Sequence, residues 1–130
     1  MGYSIPAAIG AKSADSSAEV VAVCGDGSFQ MEFNEIATAI QHDVNIKIIV
    51  MRNNYLGMVR ELQSRAYENR LIAVSLEGSP DFVKIADAYG IESMRVTDKE
   101  SAIEGIDRLI ASGKPFLLDV VVPELEKTIL

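Results

Sequence analysis

Val20-Val21-Ala22-Val23-Cys24-Gly25-Asp26-Gly27-Ser28 is the stretch whose reading decides the fold. Its first five residues are apolar and mostly β-branched, the composition of a strand buried on both faces. Gly-Asp-Gly then ends the run. A second run of the same kind, Ile46-Lys47-Ile48-Ile49-Val50-Met51, leads to Asn53-Asn54. If the two strands are parallel neighbours, Asp26 and Asn53 stand at adjacent carboxyl ends, where open α/β sheets hold ligands. A carboxylate, a carboxamide and free backbone carbonyls make an oxygen-rich site, which suits Mg²⁺.

Working outward from this pair, residues 4–14 read as a helix, with Ser4 as a cap and Pro6 in the first turn. The first strand covers residues 20–24. A helix follows over 30–42, with Met31, Ile36, Ala39 and Ile40 near one face, and the second strand covers 46–51. Residues 56–66 read as helix, and a less regular stretch runs to Gly78. Ser79-Pro80-Asp81 opens a helix that Gly90 stops, with Phe82, Ile85, Ala86 and Tyr89 at helical spacing. Residues 91–96 form a short strand. Thr97-Asp98-Lys99-Glu100 has the pattern of a capping box and opens a helix to about residue 112, which Gly113 ends. The last strand covers 116–122, apolar except at Asp119. Strands alternating with helices predict an α/β fold: one domain over 1–130, a parallel sheet flanked by helices on both faces. Four strands are few for such a sheet, and the chain opens on a helix, so it reads as a piece of a larger polypeptide.

Composition narrows the function. The chain of 130 residues is the size of one domain, and its 48% hydrophobic content is ordinary for a globular protein. The net charge is -7 with no cluster of Lys or Arg, so nucleic acid is not an expected partner. No apolar run is long enough for a bilayer and no signal peptide is visible, which predicts a soluble cytoplasmic protein without a membrane partner. Cys24 is the only cysteine, so no internal disulfide forms, and it reads as a buried small hydrophobe. His42, the only histidine, sits near a helix end and supports neither a histidine metal site nor a Ser-His-Asp triad. Two nucleotide motifs are set aside. A dinucleotide fingerprint needs a third glycine where Gln30 stands, and a P-loop needs Gly-Lys-Ser/Thr. Asp-Gly and Asn-Asn are also ordinary turn and loop dipeptides; their placement at matched strand ends is what gives them weight.

GDGSFQMEFNEIATAIQ and IKIIVMRNNYLGMVRELQ resemble the thiamin-diphosphate motif, which opens at GDG and closes near NN. MGYSIPAAIGAK, NNYLGMVRELQ, SPDFVKIADAYGI and PFLLDVVV are similar to the large, catalytic subunit of acetolactate synthase (acetohydroxyacid synthase), and the likeness covers nearly the whole chain. The resemblance implies a C-terminal thiamin-diphosphate-binding (pyrophosphate) domain. Asp26 and Asn53 would ligate Mg²⁺ through side-chain oxygens, and Tyr55 through its main-chain carbonyl. Gly25, Gly27 and Ser28 would meet the diphosphate. Met1 would lie under the bent cofactor, Leu56 and Gly57 beside it, and Met58 along the substrate channel. An acidic chain that binds a diphosphate needs such a metal to neutralise it. The implied whole enzyme decarboxylates pyruvate and joins the product to a second 2-oxoacid in branched-chain amino acid biosynthesis. It carries FAD outside this chain, forms a homodimer or larger homo-oligomer, and can take a regulatory small subunit.

Three departures from the family pattern stand out. Arg52 replaces the first Asn of the family's pair, so Asn53 takes the ligand position and Asn54 does not. Leu62 stands where many members carry a Trp that helps select the second 2-oxoacid. The chain ends at Leu130 without the family's closing tail. The family's proton-donating glutamate lies on a separate N-terminal domain of the neighbouring subunit, which this chain lacks. Glu32 and Glu35 read as surface or structural residues, and no residue here is assigned a catalytic role. The expectation is a fragment that supplies the metal and diphosphate half of a site and is inactive alone. Two alternatives are the short subunit of a split thiamin-diphosphate-dependent 2-oxoacid decarboxylase and a non-catalytic flavodoxin-like module that binds protein. A domain of this origin should also expose apolar surface, with Leu56, Met58 and Leu62 either on that face or packed as helix core.

Overall fold

The computed structural model describes residues 1–124. The expectation about the tail beyond Leu130 lies outside that range. Four strands, β1 (Val21–Gly25), β2 (Lys47–Arg52), β3 (Glu92–Val96) and β4 (Phe116–Val121), form one sheet in the order β1-β2-β4-β3. Every pairing is parallel, as expected. The helices are α1 (Ser4–Ala14), α2 (Asp26–Glu32), α3 (Ile36–Gln41), α4 (Gly57–Ala66), α5 (Phe82–Ala88) and α6 (Lys99–Ala111).

Alternation along the strands divides the core in two. Ala22, Cys24, Ile48, Val50 and Leu117 face α1, α2, α3 and α5 and pack with Ile5, Ala8, Phe29, Ile36 and Phe82. Phe116, Leu118 and Val96 face the other way and pack with Leu109 of α6. Phe29 and Phe82 are both fully buried and meet edge to face at 4.9 Å. Burial of each stabilises the fold by about 2–3 kcal/mol. Helices thus lie on both faces, but on the second face α6 packs mainly on β3 and β4. Val21, Val23 and Met51, on the β1–β2 half of that face, remain exposed.

The helix expected at 30–42 starts four residues earlier and is not continuous. α2 begins at Asp26, directly off β1, and a 3-10 turn over Phe33–Glu35 separates it from α3. That tighter turn shifts the phase of the helical faces. Phe29, Ile36 and Ala39 point inward, whereas Met31 and Ile40 are exposed. Two caps differ as well. Tyr3, not Ser4, occupies the N-cap of α1, and the Ser4 hydroxyl donates to the Val23 carbonyl at 3.2 Å. The capping box of α6 pairs Asp98 with Ser101, one residue later than Thr97 with Glu100.

Candidate functional site at the carboxyl ends of β1 and β2

β1 and β2 are adjacent, with Gly25 opposite Met51, so the residues after them emerge side by side. Asp26 is 1% exposed, and both of its oxygens are engaged. Oδ1 accepts the Gly27 amide at 2.8 Å. Oδ2 accepts the amides of Asn53 at 3.1 Å and Asn54 at 2.7 Å. The carboxylate therefore ties the start of α2 to the loop after β2. A carboxylate oxygen can accept two hydrogen bonds, so Oδ1 keeps one position open.

The loop is shaped to deliver those amides. Asn54 has φ +59, a left-handed angle that Asn adopts more readily than most residues. The Asn53 side chain accepts the Tyr55 amide through Oδ1 at 3.0 Å, an Asx turn. Residues 74–76 run alongside: Leu56 donates its amide to Val74, and Leu76 donates to Asn54, both at 2.8 Å. Those bonds flank Tyr55, and among the described residues its own carbonyl accepts no hydrogen bond. Three residues with an oxygen of spare capacity, Asp26, Asn53 and Tyr55, therefore stand at the same end of the sheet.

A cleft of about 410 Å³ opens there. All ten residues singled out from the sequence line it: Met1, Gly25, Asp26, Gly27, Ser28, Asn53, Tyr55, Leu56, Gly57 and Met58. Ser4, Val23, Cys24, Met51, Val59 and Val122 complete the lining. The sequence reading did not include these six: Val23, Cys24 and Met51 come from strands, Ser4 and Val59 from α1 and α4, and Val122 follows β4, 69 positions beyond Asn53. Asp26 is the only carboxylate among the lining residues. The Ser28 hydroxyl accepts the Gly2 amide at 3.0 Å, which leaves its hydrogen free to donate into the cleft.

The two glycines beside Asp26 are set by space rather than by backbone angle. Gly25 has φ -77 and ψ 161, an ordinary extended geometry, and Gly27 lies within α2. Neither uses a conformation that requires glycine. A β-carbon on Gly27 would come within 2.5 Å of the Leu56 side chain, so Gly27 lets the second loop close on the first. A β-carbon on Gly25 would meet nothing within 4 Å and would occupy space at the cleft wall.

Around the cleft, burial first and the Asp26 charge second push the Cys24 thiol up to about 11. Cys24 is therefore an inert small hydrophobe, as expected. Glu32 and Glu35 do not line the cleft, and Glu35 accepts from the Thr38 hydroxyl at 2.9 Å. α4 has no buried residue. Met58 and Leu62 are exposed on it, which excludes core packing for them, while Leu56 is half-buried against Gly27.

Residues 1–120 match the family described as thiamine pyrophosphate enzyme, C-terminal TPP binding domain. The chain is 40% identical over 127 residues to the acetolactate synthase large subunit of Cyanidium caldarium, covering 97% of this chain and 22% of that one. It is 46% identical over 121 residues to the mitochondrial acetolactate synthase catalytic subunit of Aspergillus candidus, covering 93% and 17%. In structure it resembles the thiamine diphosphate-dependent 4-hydroxybenzoylformate decarboxylase of Rhodococcus jostii RHA1. There the TM-score is 0.89 at 26% identity, over 98% of this chain and 24% of that one. The chain thus spans about a fifth of the length of the curated relatives it matches.

Proposed function

Since this chain belongs to the thiamine pyrophosphate enzyme family, as its C-terminal TPP binding domain, we propose that the β1–β2 cleft holds thiamin diphosphate through a divalent cation, Mg²⁺. The observation that carries this reading is the meeting of Asp26 and Asn53, whose loops are joined by the Asp26 Oδ2 hydrogen bond to the Asn53 amide. Hard divalent cations take oxygen ligands and share them with phosphates. Asp26 Oδ1, Asn53 Oδ1 and the Tyr55 carbonyl would supply the protein's share. Ser28 would donate its hydroxyl hydrogen to a phosphate oxygen. Gly27 adds little there, because its amide already donates to Asp26. Gly25 keeps the wall open, while Met1, Leu56, Gly57 and Met58 would border the organic part of the cofactor. When bound, the cofactor supplies the carbanion chemistry, and the protein binds, orients and shields it.

In its full-length setting the domain would serve an acetolactate synthase-like enzyme acting on pyruvate and a second 2-oxoacid. FAD, the proton-donating glutamate, the partner subunit and any regulatory small subunit would all lie outside this chain. The 35–46% identity to acetolactate synthases over nearly all of the chain supports that setting. The decarboxylase fold neighbour supports a second reading, the short subunit of a split 2-oxoacid decarboxylase. Leu62 in place of the usual Trp is compatible with it. The length and gene neighbourhood of the parent reading frame separate the two. Family membership removes the ground for a non-catalytic flavodoxin-like module.

Calorimetry with Mg²⁺ and thiamin diphosphate tests the site. The chain should bind the pair, Asn53→Ala should bind at least tenfold more weakly, and Asp26→Ala should not bind. Equal heats from all three proteins would refute the assignment. The isolated chain should not turn over pyruvate.

A further inference from the structure

Arg52 closes β2 and runs straight into Asn53. Its side chain is 14% exposed and is held at three points. Nε donates to Asp119 Oδ1 at 3.1 Å, Nη2 donates to the Pro80 carbonyl at 3.2 Å, and the guanidinium carbon lies 4.0 Å from the centre of the Phe82 ring. Asp119 is itself immobile: it is fully buried on β4, and Oδ2 accepts from Arg95 Nε at 2.8 Å. Phe82 packs edge-on against Phe29 of α2, the helix that opens with Asp26. The loops of Asp26 and Asn53 are therefore joined twice. One link is the direct hydrogen bonds from Asn53 and Asn54 to Asp26, and the other passes through Arg52, Phe82 and Phe29.

We propose that Arg52 is a positioning residue for the cation site. Its guanidinium, pinned to Asp119, Pro80 and Phe82, fixes the backbone of Asn53 and Asn54 against Asp26, so that the oxygens of Asp26 and Asn53 serve one divalent cation. This rests on the reading of the cleft as a cation and diphosphate site. Two features favour it. Only a planar guanidinium can donate in two directions while stacking on a ring, which a lysine cannot do. And Arg52 and Arg95 are matched by Asp81 and Asp119, with Arg95 reaching Asp81 at 2.5 Å. The cluster is neutral overall, so Arg52 places no net positive charge beside the cation. A buried ion pair adds little net stability, but it can hold one arrangement in preference to others.

The test compares wild type with Arg52→Met, Arg52→Lys and Asp119→Asn in two measurements. The first is amide hydrogen exchange of the ligand-free chain, read at Asn53 and Asn54 against Ile48 and Val50 in the same strand. The second is calorimetry with Mg²⁺ and thiamin diphosphate. The proposal expects exchange at Asn53 and Asn54 to rise at least tenfold while Ile48 and Val50 hold steady, with affinity falling about tenfold. Arg52→Lys keeps the charge and gives the reading if Arg52→Met does not fold. Unchanged exchange at Asn53 and Asn54, a uniform rise across the strand, or unchanged affinity despite faster exchange would each overturn it. Absence of binding by the wild type would end the proposed function and the cation part of this proposal together. Selective exchange in the same proteins would then show that the cofactor reading had failed and the Arg52 clamp had not.

Discussion

The Asn54 amide nitrogen lies 2.7 Å from Oδ2 of Asp26, and the same oxygen also accepts the Asn53 amide. The carboxylate proposed to hold the cation is thus also the fastener of the two loops that form the cleft. On that reading, ligand binding and local folding would be linked through one side chain.

Replacing Asp26 should therefore cost stability even without a cofactor. Asp26→Ala leaves three backbone amides without their acceptor in a place that is 1% exposed. The loss should be about 3 kcal/mol, with Asp26→Asn about half as severe because one carbonyl oxygen remains. Urea unfolding at neutral pH reads both. A wild-type midpoint for Asp26→Ala would mean that these bonds do not hold the loops. Asn53→Ala removes only the acceptor for the Tyr55 amide, so it is the cleaner variant for binding work.

The left-handed angle of Asn54 makes a second prediction. Glycine adopts φ +59 without strain, whereas a β-branched residue is crowded there. Asn54→Gly should stay within about 0.5 kcal/mol of wild type, and Asn54→Val should lose about 1–2 kcal/mol. The same pair separates conformation from ligation: Asn54→Gly should leave Mg²⁺–thiamin diphosphate affinity intact. A large loss of affinity in the glycine variant would make the Asn54 side chain a ligand.

Lys47 sits at the opposite end of the sheet with no exposed surface. Its ammonium donates to the Ser112 and Lys114 carbonyls, each at 2.6 Å, and to Asn45 Oδ1 at 2.8 Å. Ser112 is the C-cap of α6, where a cation meets the negative end of the helix. Burial lowers the lysine pKa, but three acceptors surround the charge. Lys47→Met matches the length and leaves the carbonyls without donors, so it should cost about 3 kcal/mol. Thermal melts of the two proteins decide it, and equal melting would show that solvent or a backbone shift replaces the ammonium.

Lys47 also shows where reading the sequence stops. Apolar runs make β1, β2 and β4 legible to within a residue or two at each end, although β1 is buried on one face only, and β3 is bounded by Gly90 and the cap of α6 rather than by composition. A lysine inside such a run carries no sign that its ammonium will cap a helix 65 positions later. The Arg52–Asp119 pair is equally hidden: it spans 67 positions and depends on β4 inserting next to β2. The early start of α2 was hidden for a local reason. Gly-Asp-Gly-Ser reads as a turn, yet α2 starts at Asp26, whose carboxylate accepts the Gly27 amide and holds the neighbouring loop. Asp26 and Asn53 are legible because two short motifs follow adjacent strands, and the other eight cleft residues only through the family resemblance. The sequestering of Asp26 is not legible, since it depends on the backbone angle of Asn54.

Three aspartates should make the fold less stable as the solution is acidified. Hydrogen bonds from the Ser17 hydroxyl and amide hold Asp15 below its ordinary value of 3.8. The Ser101 amide and hydroxyl do the same for Asp98. Burial, the largest single influence, tends to raise Asp81, but the hydrogen bond and charge of Arg95 together with the amides of Lys84 and Val83 outweigh it and leave the carboxyl lowered. In each case the folded pKa lies below the unfolded one, so between the two values the unfolded chain binds more protons. The stabilisation is complete above about 3.8 and is lost as pH falls through the lower folded values. Asp81→Asn and Asp98→Asn test this, because asparagine caps a helix about as well as aspartate but does not titrate. Urea midpoints measured from pH 5 down to pH 2 should fall less steeply in the double variant than in wild type. Parallel curves would assign the acid sensitivity to other groups.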